Sequence, residues 1–439
     1  MSGRKITLSI KNIKLFAGLI SFAFIFFFIF AIVEGSMAAK ASREVMSVSE
    51  LMVSPTPFLP GSEAGGFSFE PSVQIQGTAT PRPTVVYESG IYPTSIPEIF
   101  PTMPNISPYS IPAGINPLTG QYPALPGLLD RRPIASKIAL YPRYVRPESG
   151  LSLADIVFEY YIEGGLTRFV AIFYGNDAER VGPVRSGRFF DEHIARMYQS
   201  YIVFKYADKR VYDYLKASDI RDFLVVPGSS SCPPFVVGEQ DRDTYNNVFF
   251  NTTKFSDCLE KKNKDNSRPN LRSSYFSSVP SVYSEPVLSI FARYSQDDYH
   301  HWRYNPLLHK YYRYQESSDT RDGKLPSYAP LIDALNGQQV STDNIVYLFV
   351  PHSFANRYQE EDEVYHIDLI RSGKAYLFRD GIVIPAYWRR VETDQPLLLT
   401  DTRGIPLSLK PGRTFYEVLG ENSTVTQYNA QWQFQFETP

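Results

Sequence analysis

The residues best suited to chemistry lie in one loop that leads into a predicted helix, Gly182-Pro183-Val184-Arg185-Ser186-Gly187-Arg188. Ser186 is suited to cap that helix, and the free N–H groups and dipole of a helix N-terminus attract anions. Basic side chains are unfavourable at such a position unless an anion is bound or paired with them. Arg185 and Arg188, with Arg168 as a third member, therefore predict a site for a phosphate or a carboxylate.

Nearby carboxylates allow a simpler interpretation of the same arginines. A structural salt-bridge network would neutralise them without any ligand, and its candidate acids are Glu159, Glu163, Asp191 and Glu192. Glu159 and Glu163 are also candidate residues of the ligand site. Their spacing along one strand places them roughly 13 Å apart, which is too far for the paired acid and base of glycoside hydrolysis. Either carboxylate remains a candidate to act singly.

No nucleophile or cofactor motif accompanies this loop. The sequence contains no G-x-S-x-G, no Gly-rich phosphate-binding loop and no Cys/His nucleophile arrangement. The six histidines lack metal-ligand spacing, and the adjacent His300 and His301 point to opposite sides of a strand. We therefore predict no catalytic residue, no metal and no cofactor.

A β-hairpin followed by a helix is predicted to position these side chains. Strand-like runs at 156–162 and 167–174 flank Gly164-Gly165, which reads as a two-residue turn. Apolar residues recur at helical spacing over 189–200, so a helix is expected to pack against the hairpin.

The two-residue turn fixes which residues of the hairpin face each other. It pairs Glu163 with Leu166 and Tyr161 with Arg168. The two-residue period of a strand then places both carboxylates, Glu159 and Glu163, on one face with Arg168 diagonal to them. The opposite, apolar face is expected to be the core.

The N-terminal sequence predicts a membrane anchor. An apolar run at 15–33 is long enough to cross a bilayer, and the basic tail at 1–14 places the N-terminus in the cytoplasm and the folded part outside. A cleavable signal peptide ending near Met37-Ala38-Ala39 is the alternative. The formal net charge of -2 gives no indication of nucleic-acid binding.

Composition divides the remainder into a linker and two folded domains. We predict a disordered Pro/Ser/Thr-rich linker at 34–115, a mixed-sheet α+β domain at 116–285 and a mostly antiparallel β domain at 286–439. Outside the cytoplasm, Cys232 and Cys258 are a candidate disulfide, with two unpaired thiols as the alternative.

Several motifs resemble the YerB-like family of bacterial envelope proteins. In the first predicted domain these are Asn116-Pro117-Leu118-Thr119-Gly120, Arg132-Pro133, SGLSLADIVFEYYIEGGLTRFVAIF and VGPVRSGR. In the second they are Trp302-Arg303-Tyr304, SGKAYLFRDG, Ile405-Pro406-Leu407 and Lys410-Pro411-Gly412. The resemblance covers roughly 116–419 and implies two paired domains of unknown function, commonly tethered to the membrane as lipoproteins.

The chain departs from that family pattern at two points. The lipid-anchor cysteine of the family is replaced by the hydrophobic span. The family's Arg followed by Ala-Pro-His-Asn corresponds to Arg242 with Tyr245-Asn246-Asn247, so the histidine is missing. This absence weakens any mechanism that uses the histidine as a base.

These observations favour a non-enzymatic protein of the bacterial cell envelope that binds a ligand or a partner. The expected partners are the membrane, through the N-terminal helix, and an anionic envelope ligand or an envelope protein; nucleic acid is not expected. One alternative is an enzyme that acts on a phosphorylated envelope precursor through the arginine-lined anion site. Another is a purely structural interaction module.

Overall fold

The computed structural model describes residues 105–228, 232–238, 246–280, 284–355 and 363–438. The predicted cytoplasmic tail, the apolar span at 15–33 and most of the linker lie outside these residues. In the part of the chain that is described, no helix is long and apolar enough to cross a membrane.

The described helices are short. The α-helices are α1 (Asp191–Tyr198), α2 (Lys209–Ala217) and α3 (Phe255–Lys261). Single 3₁₀ turns occupy Pro126–Asp130, Arg143–Val145, Leu151–Leu153, Asp219–Phe223 and Arg321–Gly323.

Strands make up most of the regular structure. Those in the first half are β1 (Ile134–Ala139), β2 (Ile156–Tyr161), β3 (Thr167–Phe173), β4 (Tyr201–Val203), β5 (Leu224–Val225), β6 (Phe235–Val237) and β7 (Val248–Phe250). The next are β8 (Ser289–Arg293), β9 (Tyr299–Asn305), β10 (Lys310–Glu316), β11 (Tyr328–Pro330), β12 (Ser341–Thr342), β13 (Asn344–Val350), β14 (His352–Phe354) and β15 (Tyr365–Ile367). The last are β16 (Arg371–Arg379), β17 (Ile382–Arg390), β18 (Leu398–Thr400), β19 (Pro406–Leu407), β20 (Thr414–Gly420), β21 (Thr424–Tyr428) and β22 (Gln431–Gln435). The fold is therefore mainly β. Mixed and antiparallel sheets are present as predicted, but the helices are fewer than an α+β class implies.

The larger sheet combines strands from both ends of the described chain. Its eleven strands run in the order β19-β18-β17-β16-β13-β20-β2-β3-β1-β4-β5. Strand β20 lies between β13 and β2 and is parallel to both. One sheet thus takes strands from both sides of the domain boundary predicted at 285/286. The smaller sheet runs β11-β10-β9-β8-β22-β21, with β12 also paired to β10.

The predicted register of the β2–β3 hairpin is wrong by one residue. Tyr160 lies opposite Arg168 and Tyr161 opposite Thr167. The reason is that the loop has three residues rather than two, since Ile162 N–H donates to the carbonyl of Leu166 at 2.9 Å. A one-residue slip moves every side chain to the other face of the sheet.

The consequence is that Arg168 and Glu159 lie on opposite faces. The face that carries Tyr160 and Arg168, here called the helix face, packs against α1, where the ring centroids of Tyr160 and Phe190 are 4.4 Å apart. The opposite face, here called the sandwich face, packs against the smaller sheet. Every residue of β2 and β3 is buried, so the prediction of one core face and one charged face is also wrong.

Rings from both sheets form the centre of the sandwich face. Phe415 of β20 contacts Phe169 of β3 and Trp302 of β9, with centroid separations of 6.2 and 4.8 Å. Aromatic side chains contribute a large buried area at such contacts.

Candidate functional site

Helix α1 is not capped by a residue of the arginine loop. Helix α1 begins at Asp191, and its N-cap position is Phe190, whose side chain cannot cap. The prediction that Ser186 caps the helix is therefore wrong. Instead, the backbone N–H of Arg188 donates to Oδ2 of Asp191 at 2.8 Å, so a residue within the helix orders the end of the loop.

Three of the predicted site residues meet at the end of the hairpin. Arg188 binds Glu163 through two nitrogens, with Nε donating to Oε2 at 2.9 Å. Arg168 Nη2 lies 3.7 Å from Oε1 of the same carboxylate, and its Nη1 donates to the carbonyl of Ser186 at 3.2 Å. The backbone N–H of Arg185 donates to the carbonyl of Lys137 at 3.2 Å, which fixes that part of the loop against β1.

Lys137 is a member of this site that sequence reasoning missed. It is fully buried on β1, and its Nζ lies 3.0 Å from Oδ1 of Asp191, which also accepts a hydrogen bond from the hydroxyl of Tyr160 at 2.7 Å. The signal that could have identified it is the presence of a lysine within the alternating run of β1. Its burial could not be read from the run, because the helix that covers it lies some 50 residues further along the chain.

We call this group the cationic cluster, and its members are Lys137, Arg168, Arg185, Arg188, Glu163 and Asp191. It contains four basic side chains and two carboxylates. At its edge lies Asp208, which is ion-paired with Arg210 at 2.9 Å.

Burial, and after it the neighbouring positive charges, perturbs the pKa values of the buried bases Lys137 and Arg168. Burial, reinforced by the nearby guanidinium of Arg188, lowers the pKa of Arg168 to about 9. Burial also lowers the pKa of Lys137 to about 8, although Asp191 opposes this shift. The carboxyl of Glu163 has a lowered pKa; burial alone would raise it, but the contact with Arg188 outweighs this effect. The carboxylates present thus leave the cluster short of negative charge.

Glu159 is not part of the cationic cluster. It lies on the sandwich face, where Oε2 is 2.7 Å from Nη1 of Arg313. The same nitrogen is 3.0 Å from Glu417, and His300 lies beside both carboxylates. These residues come from four strands, so no local pattern in the sequence brings them together.

A cavity of about 440 Å³ takes part of its wall from Pro183, near the start of the arginine loop, and no member of the cationic cluster lines it. The other polar residues of its lining include Ser149, Arg180 and Asn247. The guanidinium of Arg180 lies over the ring of Phe249 at 3.9 Å. This cavity is therefore lined by Pro183 of the GPVRSGR motif and by the adjacent Asn246 and Asn247. Arg242 and Tyr245 lie outside the described residues.

Cys232 and Cys258 are joined by a disulfide, with Cα atoms 5.5 Å apart. The bridge connects the segment before β6 to α3. It lies beside a small apolar cluster, distinct from the main core, that includes Val184 of the arginine loop.

Family models match both halves of the chain. Residues 118–265 match the model described as the N-terminal domain of a protein of unknown function (DUF3048), and residues 290–416 match the corresponding C-terminal domain. The chain belongs to the YerB-like family, in which these two domains of unknown function are paired.

Comparison with individual proteins agrees with this assignment. The chain is 27% identical over 298 residues to the "Putative lipoprotein YerB" of Bacillus subtilis (strain 168), an alignment that covers 66% of this chain and 82% of that protein. The crystal structure of YerB protein from Bacillus subtilis has a TM-score of 0.55 at 23% identity and covers 70% of this chain and 96% of that one. The similarity of the structures concerns the fold alone.

Proposed function

We propose that this protein is an extracytoplasmic, membrane-anchored protein of the bacterial envelope that binds an anionic ligand at the cationic cluster. The apolar run at 15–33 and the lipoprotein named among its relatives support the location. In this proposal the protein acts by binding, and the anchor keeps the site near the outer surface of the membrane.

The observation that carries the proposal is the incomplete neutralisation of Arg168. Its side chain is almost fully buried, and among the described residues Glu163 is the one carboxylate within ion-pair distance, at 3.7 Å. That carboxylate is held more closely by Arg188. A buried guanidinium without a close counter-ion is unfavourable, so an anion at this position would be stabilised.

The ligand that best fits the cluster is a phosphate or diphosphate group. A guanidinium presents paired N–H donors that match the oxygens of a phosphate, and arginine is preferred where such bidentate contacts are made. The loop supplies a second arginine, Arg185, whose charge is near enough to lower the pKa of Arg168.

A second candidate function is an enzyme acting on a phosphorylated envelope precursor. One observation favours it: Lys137, with its lowered pKa of about 8, lies next to Tyr160 and Asp191 beside the arginines. A base that titrates near neutral pH at an anion site is suited to proton transfer.

The binding proposal is tested with the full-length chain in detergent. Inorganic diphosphate is titrated into wild-type protein, Arg168→Met and Arg185→Ala by isothermal calorimetry. Loss of one charge-assisted contact should weaken binding by about tenfold or more. The matched control is Arg196→Ala, because Arg196 is ion-paired with Glu192 on the surface of α1. Undetectable binding by the wild type, or equal affinities in all four proteins, would refute the proposal.

The enzymatic alternative requires a separate measurement. The same protein is incubated with a lipid-linked diphosphate, and phosphate release is followed over time. Release that is lost in Lys137→Met but kept in Arg196→Ala would favour the enzyme, whereas binding without turnover would favour the binding protein.

A further inference from the structure

A buried group of metal-ligating side chains lies on the sandwich face, on the side of β2 opposite the cationic cluster. Glu159 of β2 and Glu417 of β20 are neighbours in the parallel register of the larger sheet. His300 of β9 reaches them from the smaller sheet. All three side chains are completely buried, and their donor atoms lie within 4.8 Å of one another.

Each carboxylate is oriented by neighbouring donors. Oε1 of Glu417 accepts hydrogen bonds from Trp302 Nε1 and Arg313 Nη1, both at 3.0 Å. Oε1 of Glu159 accepts one from the hydroxyl of Thr167 at 2.7 Å. Oε2 of Glu417 is buried without a hydrogen bond. Both oxygens of Glu159 have close partners, since its Oε2 lies 2.7 Å from Nη1 of Arg313, so Oε2 of Glu417 is the carboxylate oxygen of this pair that is left available. A carboxylate whose second oxygen is held by donors is typical of a metal ligand.

His300 provides the second, independent indication. Neither of its ring nitrogens makes a hydrogen bond, although the ring is completely buried. Nε2 lies 3.3 Å from Oε1 of Glu417, and Nδ1 lies 3.9 Å from Oε2 of Glu159. A buried imidazole that makes no hydrogen bond is destabilising, so its retention in the core calls for a group that binds it.

The charges of the cluster point to a cation. Two buried carboxyl groups, those of Glu159 and Glu417, face the guanidinium of Arg313. The carboxyl group of Asp298 lies nearby, where the neighbouring charges include those of Arg146 and Glu316. Asp298 belongs to the group because the hydroxyl of Thr167 lies within hydrogen-bond distance of both its carboxyl group and that of Glu159. One hydroxyl proton cannot serve both acceptors. When Glu159 and Glu417 are both ionised, Arg313 neutralises one of the two charges, and a bound cation would neutralise the other.

We propose that Glu159, His300 and Glu417 bind one divalent transition-metal ion of the Zn²⁺ class. One imidazole nitrogen and two carboxylate oxygens form a donor set that Zn²⁺ accepts. His300 Nε2 lies 3.3 Å from Oε1 of Glu417, the oxygen that Trp302 and Arg313 hold, so the ion would bind His300 and the other oxygen of the same carboxylate, Oε2. Glu159 lies beside the other ring nitrogen, 3.9 Å from Nδ1, so its carboxylate would have to turn away from Arg313 to reach the same ion.

The ion would connect the two sheets. Two ligands come from the larger sheet and one from the smaller, so the bound metal stabilises their packing rather than reacting with a substrate. Since metal binding to a site formed only in the folded state adds to the stability of that state, removal of the ion should lower the melting temperature.

The test uses full-length protein refolded with and without Zn²⁺, because a completely buried site can be loaded only when the chain opens. Metal content is measured by mass spectrometry after gel filtration, and unfolding is followed by circular dichroism. We expect about one Zn²⁺ per chain and a higher melting temperature with Zn²⁺ than without it. His300→Gln and Glu417→Gln should each lower Zn²⁺ affinity by at least about tenfold.

His301→Gln is the matched control. His301 is adjacent in sequence but faces the other side of β9, where its ring stacks on Tyr314 at 4.6 Å. It should bind Zn²⁺ as the wild type does. Equal binding by His300→Gln would refute the proposed site. Wild-type protein refolded with Zn²⁺ that retains no metal and gains no stability would refute the proposal even if the variants fail to fold, and would leave protons to neutralise the carboxyl groups.

Discussion

Two buried arginines should respond in opposite ways to the same substitution. Arg168 lies in the cationic cluster with one distant carboxylate, whereas Arg313 lies 2.7 and 3.0 Å from Glu159 and Glu417. Methionine keeps much of the length and apolar surface of an arginine stem but carries no charge. Arg168→Met should therefore stabilise the protein, and Arg313→Met should destabilise it.

The expected magnitude for Arg168 follows from its pKa. Burial and the charge of Arg188 lower that pKa to about 9, and at 1.36 kcal/mol per pKa unit the difference from an exposed arginine corresponds to about 5 kcal/mol. This value is an upper limit, because the substitution also removes the hydrogen bond to the Ser186 carbonyl and the long contact with Glu163. We expect Arg168→Met to raise the free energy of unfolding by about 1–3 kcal/mol.

The expected magnitude for Arg313 follows from the two carboxylates that it leaves behind. Removing one partner of a buried ion pair typically costs about 3–5 kcal/mol, because the remaining charge is uncompensated. Arg313 also lies over the rings of Phe169 and Trp302 at 5.2 Å, so its removal loses these contacts as well.

Urea unfolding of the full-length chain, followed by circular dichroism in buffer with a metal chelator, measures both effects. Arg196→Met is the control, and its partly exposed ion pair with Glu192 should contribute no more than about 1 kcal/mol. If Arg168→Met loses as much stability as Arg313→Met, then Arg168 is a structural member of a balanced network. The charge argument for an anion site would then be wrong.

Three further predictions concern stability away from the two clusters. Replacing Cys232 and Cys258 by serine should lower the free energy of unfolding by about 3.5 kcal/mol, from the entropy of a closed loop of this length, and urea unfolding with and without reductant measures it. Burial lowers the pKa of His352 to about 4, so the contribution of the neutral ring to stability is complete above about pH 6.5 and declines as the pH falls towards 4. Between pH 7 and pH 4 the free energy of unfolding should therefore fall by about 3 kcal/mol less in His352→Gln than in the wild type, which urea unfolding at the two pH values measures. Gly165→Ala should destabilise the hairpin more than Gly164→Ala, because both glycines have positive φ but only at 165 would a Cβ lie 2.9 Å from a serine side chain; equal melting temperatures for the two variants would contradict this reasoning.

The two clusters illustrate how strand alternation separates functions. Glu159 and Tyr160 are adjacent in the sequence, yet one belongs to the proposed metal site and the other contacts the cationic cluster. Substitutions in one group should therefore leave the other intact, because β2 separates them.

The features that the sequence predicted correctly are those that depend on residues close together in the chain. Turn glycines and alternating strands predicted the hairpin, apolar spacing predicted α1, and the loop predicted that Arg168 and Arg188 share a neighbourhood with Glu163. The motifs also indicated the family, since short runs of specific residues survive where overall identity is low.

The tertiary structure alone decided which residues share a face and which sheets they join. The register of the hairpin goes with a three-residue loop, which the hydrogen bond from Ile162 to Leu166 closes. Period-2 patterns on two buried faces do not distinguish between neighbouring registers. The insertion of β20 beside β2 has no local signal, because Ile156 and Thr414 pair across most of the folded chain. Both clusters depend on such long-range contacts. The sequence therefore indicated where charge is concentrated, and only the packing of strands showed which charges are neutralised and which remain available for a ligand.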